Sequence, residues 1–176
     1  MSSSKEKHEK LIILGGVGAG KDYIFRKLVE IGLIGCIKTT TQPKRMNDTH
    51  CFKYKHITDY TFKEKINNGE FLCYHTLELN TETWYYGITN EEFERAQVFI
   101  ISPNEFQFID KETRKNCFVV YLDINREIRE SRIKNKIEST MKILYSEEED
   151  FKGFSDYDLK VTDSDFEAED IYNLMN

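Results

Sequence analysis

The run Leu11-Ile12-Ile13-Leu14 passes directly into Gly15-Gly16-Val17-Gly18-Ala19-Gly20-Lys21, and the residues beyond it return apolar members at helical spacing, Ile24, Leu28 and Ile31. Four apolar residues ahead of a glycine loop read as a buried strand, and the spacing after it reads as an amphipathic helix. Strand, loop and helix in that order confine the chain to α/β architectures in which a loop opens a helix. Glycines at both ends of the loop let backbone N–H groups turn inward around an anion. The helix N-terminus adds partial positive charge there, and a lysine at the loop's end reaches outward phosphates. Residues Gly15 to Lys21, with Asp22 and Tyr23 in the first helical turn, therefore read as a cradle for a nucleoside triphosphate. Loops of this kind usually continue with Ser or Thr, whose hydroxyl binds Mg²⁺; here the residue is Asp22. A carboxylate is also a hard oxygen ligand for Mg²⁺, directly or through water. It also repels phosphate, and an acid in a first helical turn complements the dipole in any protein. All three readings stand at the level of the sequence.

The rest of the chain narrows the setting. Its 176 residues suit one domain with a full core, 10–176, behind a flexible polar stretch at 1–9, and no Pro/Gly/Ser linker divides it. The formal net charge is −6, with acids gathered at 147–150 and between 156 and 170, so no nucleic-acid partner is expected. Cys36, Cys51, Cys73 and Cys117 are scattered, with no C-x-x-C and no His at ligand spacing, which argues against zinc and disulfide frameworks and fits a reducing, cytoplasmic setting. No apolar run is long enough to span a bilayer, so no membrane partner is expected. The Lys/Ile/Asn-rich composition with two prolines is that of an A/T-rich coding sequence, as in a phage or a low-GC bacterium.

Along the chain, strands alternate with helices. A short apolar strand is expected at 34–38, then a polar segment at 39–45 that reads as a loop outside the core. Helical spacing at 60–66 sits behind a Thr58/Asp59 cap and ends at Asn67-Asn68-Gly69, where glycine takes the left-handed conformation after a helix. The β-rich runs 71–79 and 84–88 read as a hairpin, and Thr89 with Glu92 as a capping box. Continuous apolar runs at 97–101 and 117–122 read as parallel strands covered on both faces. A helix is expected from Asn125 to Ile137, another around Ile143, Leu144 and Phe151, a strand at 159–162 and a closing helix at 166–175. The order implies a three-layer α/β/α parallel sheet of the phosphate-loop class, with a small antiparallel β-rich insertion and a helical lid.

Five pieces, in order and at matching spacing, resemble a guanylate kinase: the glycine loop, Thr40-Thr41-Gln42-Pro43-Lys44-Arg45, Tyr54, the helix end Asn67-Asn68-Gly69-Glu70-Phe71, and Tyr85-Tyr86-Gly87. The resemblance spans about 11–132. It implies ATP and Mg²⁺ as cofactors and a nucleoside monophosphate as acceptor. The acceptor is held by an insertion at about 38–90, and a lid at about 130–152 closes over the donor. Gly20-Lys21-Asp22 further resembles the variant loop of some phage and small-metabolite phosphotransferases.

The resemblance also implies roles. Arg45 matches an acceptor-phosphate clamp, Tyr54 and Tyr86 match two phosphate-binding tyrosines, and Lys38 falls near a small hydroxyl position. Thr41, Gln42 and Gly87 belong to the same acceptor set. Arg132 matches a lid arginine that neutralises charge on the transferred group, and Lys136 takes the next basic position; Arg126 and Arg129 are neighbours able to substitute for either. Departures cluster where the family reads guanine. Cys73 stands in place of one reading acid and Ser102 in place of the second. Ile88 replaces a small hydroxyl residue, Gln42 the first clamp arginine and Ile143 a later lid arginine. Losing a charged acceptor costs about 1.5–3 kcal/mol per charge-assisted bond to the base. Three functions are compatible with this pattern: a nucleoside or deoxynucleoside monophosphate kinase with altered base choice, a kinase for a modified nucleotide, and an inactive binding module for phosphorylated ligands. The sequence carries no signal for oligomeric state.

Overall fold

In the computed structural model, which describes residues 8–44, 53–79, 82–133 and 149–175, strand β1 (Lys10–Gly15) is the axis of the parallel sheet. Leu11 to Leu14 are wholly buried because the strand is paired on both edges and covered on both faces. β1 lies between β6 (Val98–Ile100) and β7 (Cys117–Leu122), and β8 (Leu159–Val161) completes the order β6-β1-β7-β8, every pair parallel. Helix α1 (Lys21–Glu30) buries Ile24, Phe25 and Leu28 against this sheet. The closing helix, numbered α7 here (Ala168–Met175), adds Ala168, Ile171 and Met175 to the same core. Two short helices, α4 (Pro103–Phe106) and α5 (Lys111–Lys115), and helix α6 (Arg126–Arg132) fill the connections.

Residues 34–96 form a second compact unit, the first comprising 1–33 and 97–176. The second unit holds a mixed sheet in the order β3-β2-β5-β4, built from β2 (Lys38–Thr40), β3 (Tyr54–His56), β4 (Phe71–Leu79) and β5 (Glu82–Thr89). β4 and β5 pair antiparallel with a register shift between Phe71 and Cys73, whereas β2 and β3 run parallel. Helix α2 (Asp59–Asn67) lays Phe62 on one face, its ring 4.4 Å from Phe71 and 5.3 Å from Tyr85. α3 (Asn90–Arg95) ends the unit. The Thr58 cap and the left-handed Gly69 (φ 68°) behave as their sequence implies, the Thr58 hydroxyl accepting from the Thr61 amide.

Elsewhere the structure corrects the sequence. The strand expected at 34–38 begins only at Lys38, and Ile34 and Ile37 lie exposed. Thr39 and Thr40, expected in a loop outside the core, are buried strand residues. The Thr40 hydroxyl donates to the Tyr85 carbonyl at 2.8 Å, which is how a polar residue meets the requirement of an interior strand. β3 was not legible as a strand. At Thr89 only half of the capping box forms, because the Glu92 carboxylate accepts instead from the Ile37 amide (2.6 Å) and from Arg95. The complete box is at Ser102 and Glu105. α6 stops at Arg132, since Ile133 is extended, so it is shorter than the 125–137 expected. Arg45, Cys51, Lys136, Ile143 and Leu144 lie outside the described residues, as does most of the expected lid.

Candidate functional site

The glycine loop owes its shape to which way its carbonyls point. Lys21 Nζ donates to the Gly15 carbonyl and, at 2.9 Å, to that of Gly16. Arg129 Nη1 donates to the Val17 carbonyl at 3.3 Å, and Arg132 Nη1 to the carbonyls of Gly18 (3.2 Å) and Ala19 (3.4 Å). Every carbonyl from Gly15 to Ala19 thus meets a cationic side chain. In a planar trans peptide the N–H opposes the C=O, so each carbonyl held in this way also fixes the direction of the amide that follows it. The Ala19 amide itself donates to the Gly16 carbonyl at 3.1 Å. Amides fixed in direction before a ligand arrives are what an anion-binding loop needs. Gly18 (φ 78°) and Gly20 (φ 100°) occupy the left-handed region, and a Cβ on Gly18 would fall 2.5 Å from the Arg129 carbonyl oxygen. Asp22 is exposed in the first turn of α1. Among the described residues no three acidic, histidine or cysteine side chains gather as a metal site. Asp22 puts one carboxylate beside the loop, and a single carboxylate would fit Mg²⁺, which keeps several waters and takes phosphate oxygens as its other ligands.

Two concavities flank the loop. One, about 450 Å³, is lined by Ala19, Gly20, Tyr23, Arg132 and the segment Ser164, Asp165, Phe166 and Glu167 after β8. Arg132 Nη2 donates to the Ser164 carbonyl at 3.1 Å, and the Tyr23 hydroxyl to Glu167 at 3.1 Å, so residues from three parts of the chain close this pocket. The Glu167 carboxylate raises the Tyr23 phenol above its ordinary value by accepting its proton in a hydrogen bond. The other pocket, about 350 Å³, lies by Gly16 and the end of β7, with Asp123, Arg126, Arg129, Phe151 and Lys152 among its walls. Asp123 pairs with Lys160 at 2.8 Å and accepts from the Tyr121 hydroxyl at 3.2 Å; burial first, and this carboxylate second, push the Tyr121 phenol up to about 12.

On the second unit, strand alternation places Lys38, Tyr54, Cys73 and Tyr86 on the sheet face opposite α2. Tyr54 meets Tyr86 edge to face at 6.1 Å. His75, directly across from Tyr86 in register, stacks on it at 5.4 Å. Gln42 joins them: its side-chain oxygen accepts from the Tyr86 hydroxyl at 3.1 Å, and its carbonyl accepts from His56 Nδ1 at 2.7 Å. His56 Nε2 is buried with no hydrogen-bond partner among the described residues. Cys73 pairs in register with Ile88, and both are buried, so this part of the face is apolar. Thr41 instead ties β2 to β5, exchanging hydrogen bonds with Tyr85 through its amide and hydroxyl. Gly87 has a packing reason to be glycine, because a Cβ there would lie 2.7 Å from the Phe71 ring. Ser102 stands in the first unit as the N-cap of α4, its hydroxyl and amide both engaged with the buried Glu105.

The sequence offers Arg129 only as a neighbour able to substitute for Arg132 or Lys136; the structure buries it in α6 and sets it against the loop beside Arg132. The segment 164–167 is not marked by the sequence as part of the site: its last two residues are expected in the closing helix, which begins only at Ala168. The rule that ligands gather beyond the carboxyl ends of parallel strands would have flagged it, since it follows β8.

The family model for guanylate kinase matches residues 7–175. Among solved structures, the guanylate kinase of Anaplasma phagocytophilum aligns with a TM-score of 0.66 at 16% identity, over 97% of this chain and 86% of that one. The likeness is one of fold: the parallel α/β sheet with its mixed-sheet insertion. A shikimate kinase from Acinetobacter baumannii (TM-score 0.47, 13% identity, 97% and 92% covered) and a deoxyadenosine kinase from M. mycoides (0.40, 16%, 94% and 96%) are more distant. No curated protein matches the sequence.

Proposed function

The chain belongs to the guanylate kinase family, and from that premise we propose that it transfers the γ-phosphoryl group of ATP to a nucleoside or deoxynucleoside monophosphate, with base recognition altered from guanine. In this reaction the bond between the γ-phosphorus and the β–γ bridging oxygen breaks as a phosphate oxygen of the acceptor bonds to the same phosphorus, giving ADP and a nucleoside diphosphate. The observation that carries the reading is the loop itself, in which Lys21, Arg129 and Arg132 hold five successive carbonyls. The loop Gly15 to Gly20 binds the donor phosphates through amides other than that of Ala19, which donates to the Gly16 carbonyl, and Lys21 and Arg132 supply charge where it develops on the transferred group. Tyr23 and the segment 164–167 border the pocket that suits the donor's base. Asp22 would hold Mg²⁺, which would neutralise phosphate charge when bound.

The acceptor belongs to the face carrying Lys38, Gln42, Tyr54 and Tyr86, with Arg45 as its clamp, while Thr41 and Gly87 serve the strand pairing and packing behind that face. Altered base choice is supported by the buried apolar pair Cys73 and Ile88 and by Ser102, whose hydroxyl is committed to capping α4. A coupled ADP-release assay across all ribo- and deoxyribonucleoside monophosphates, with ATP and Mg²⁺, tests the whole reading. Turnover with at least one acceptor other than GMP or dGMP, at a kcat/KM matching or exceeding theirs, is the expected result. Turnover with GMP alone would refute altered recognition, and none with any monophosphate would leave the chain as a binding module or a kinase for a modified nucleotide.

A further inference from the structure

We infer that Arg129 is a positioning residue for the phosphoryl donor: from inside the fold it fixes the first half of the glycine loop, and ATP affinity depends on its guanidinium. The inference rests on the kinase reading above and concerns a residue that the family resemblance leaves without an assigned role.

Arg129 is 8% exposed, a rare environment for a charge that is not engaged. Its Nε donates to the Ile124 carbonyl at 3.0 Å, which anchors the side chain to the turn entering its own helix, and its Nη1 donates to the Val17 carbonyl at 3.3 Å. The same nitrogen lies 2.6 Å from where a Cβ on Gly16 would stand. Behind the side chain, the backbone of α6 approaches Gly18 so closely that a Cβ there would meet the Arg129 carbonyl at 2.5 Å. One residue therefore touches three consecutive loop positions. Arg132, one turn on, holds the second half through the carbonyls of Gly18 and Ala19 and is exposed. The two arginines grip the loop from its two flanking pockets, Arg129 bordering the one by Gly16 and Arg132 the one by Gly20.

The division of labour follows from the chemistry. A guanidinium presents donors in a rigid planar fork, so it satisfies the Ile124 and Val17 carbonyls together. An ammonium puts all its donors on one nitrogen at the end of a flexible stem and lacks that fixed planar geometry. A loop whose amides are already directed toward the anion binds it without first being ordered, and that preorganisation is what removing the fork forfeits. The Val17 peptide is the one the fork holds, and its outward carbonyl orients the following amide, that of Gly18, toward the phosphates.

The test measures equilibrium binding of ATP with Mg²⁺ to the full chain, together with thermal melting and separate KM values for donor and acceptor. Arg129→Met should bind ATP about tenfold or more weakly, a loss of the size expected for one charge-assisted contact. Its donor KM should rise while the acceptor KM stays put. Arg129→Lys, though still cationic, should not restore binding. Gly16→Ala touches the guanidinium tip alone and should weaken ATP binding in the wild type but add little in the Arg129→Met background. Gly18→Ala, opposed by backbone, should be harmful in both. Wild-type ATP binding combined with an Arg129→Met affinity within about twofold of it would overturn the inference and leave the kinase reading intact. A wild type that binds no ATP would overturn both. If the arginine variants do not fold, Gly16→Ala decides alone: a folded variant with unchanged ATP affinity sinks the proposal.

Discussion

Lys21 separates chemistry from fold. Its ammonium rests on the Gly15 and Gly16 carbonyls, and its backbone is the first residue of α1, so deleting the side chain removes no core contact. Lys21→Ala should lower turnover about 100-fold or more, the cost of losing one preorganised donor to developing charge. Its melting transition should stay close to the wild type. A variant with wild-type turnover would remove the phosphate-loop assignment. Cys73 makes the complementary case on the other unit. Placed opposite Ile88 on the same face as Tyr54 and Tyr86, Cys73→Glu in an Ile88→Ser background should shift kcat/KM toward guanine by about tenfold, the value of one charge-assisted bond. An unchanged base ranking would disconnect this pair from recognition. At this scale the sequence was informative where one strand's alternation decides which side chains share a face, as in the hairpin that carries Cys73 and Tyr86. It was uninformative where a side chain is claimed by a residue elsewhere. The Ser102 hydroxyl goes to Glu105, and Glu92 abandons its own cap for the Ile37 amide, because several acceptors compete for each donor and only the assembled geometry decides.

Among the elements, β1, α1, the 71–89 hairpin and β7 stood out because each carries a single unbroken apolar period and a clear stop. The short pieces did not: β3, α4 and α5 are held by partners more than by propensity, and three to five residues give too short a window for periodicity to appear. The segment leading into β8 shows what such partners do. Arg114 of α5 donates to the Cys117 carbonyl at 2.8 Å and pairs with Asp156 at 2.9 Å and Asp158 at 3.1 Å, while Asp158 exchanges hydrogen bonds with the Val119 backbone. A half-buried guanidinium thus fastens the approach to the last strand of the sheet. Arg114→Met should destabilise the protein by about 1 kcal/mol, since the Cys117 carbonyl loses a donor while the exposed Asp156 and Asp158 keep water as a partner. Denaturant titration reads this directly, and a midpoint equal to the wild type would show that the Asp158 backbone contacts suffice.

For the molecule as a whole, alkaline pH is the condition to which the sheet of the first unit should respond. Burial pushes the Cys117 thiol, on β7, up to about 11, and Tyr121 on the same strand titrates near 12. Both groups keep their protons in the folded state to higher pH than in the unfolded chain. Unfolding therefore releases protons above their ordinary values of 9.0 and 10.0, and stability falls as pH rises from about 9 toward 12. Urea midpoints measured across that range should decline, and Cys117→Ala should flatten the first part of the decline. A midpoint constant to pH 11 would contradict the burial argument.

The order of the parallel sheet also sets a timetable for synthesis. Leu11 pairs with Val98 on one side and Phe118 on the other, whereas the 71–89 hairpin closes on its nearest neighbours. At ribosomal speeds of about 5–20 residues per second, the apolar run that begins the chain waits several seconds for either partner, while the hairpin can form as soon as it emerges. The glycine loop hangs from the end of that waiting strand. A nascent chain would thus complete its inserted sheet first and acquire the nucleotide cradle only once β6, β7 and α6 have emerged, leaving residues 11–14 exposed to chaperones and to aggregation in the meantime.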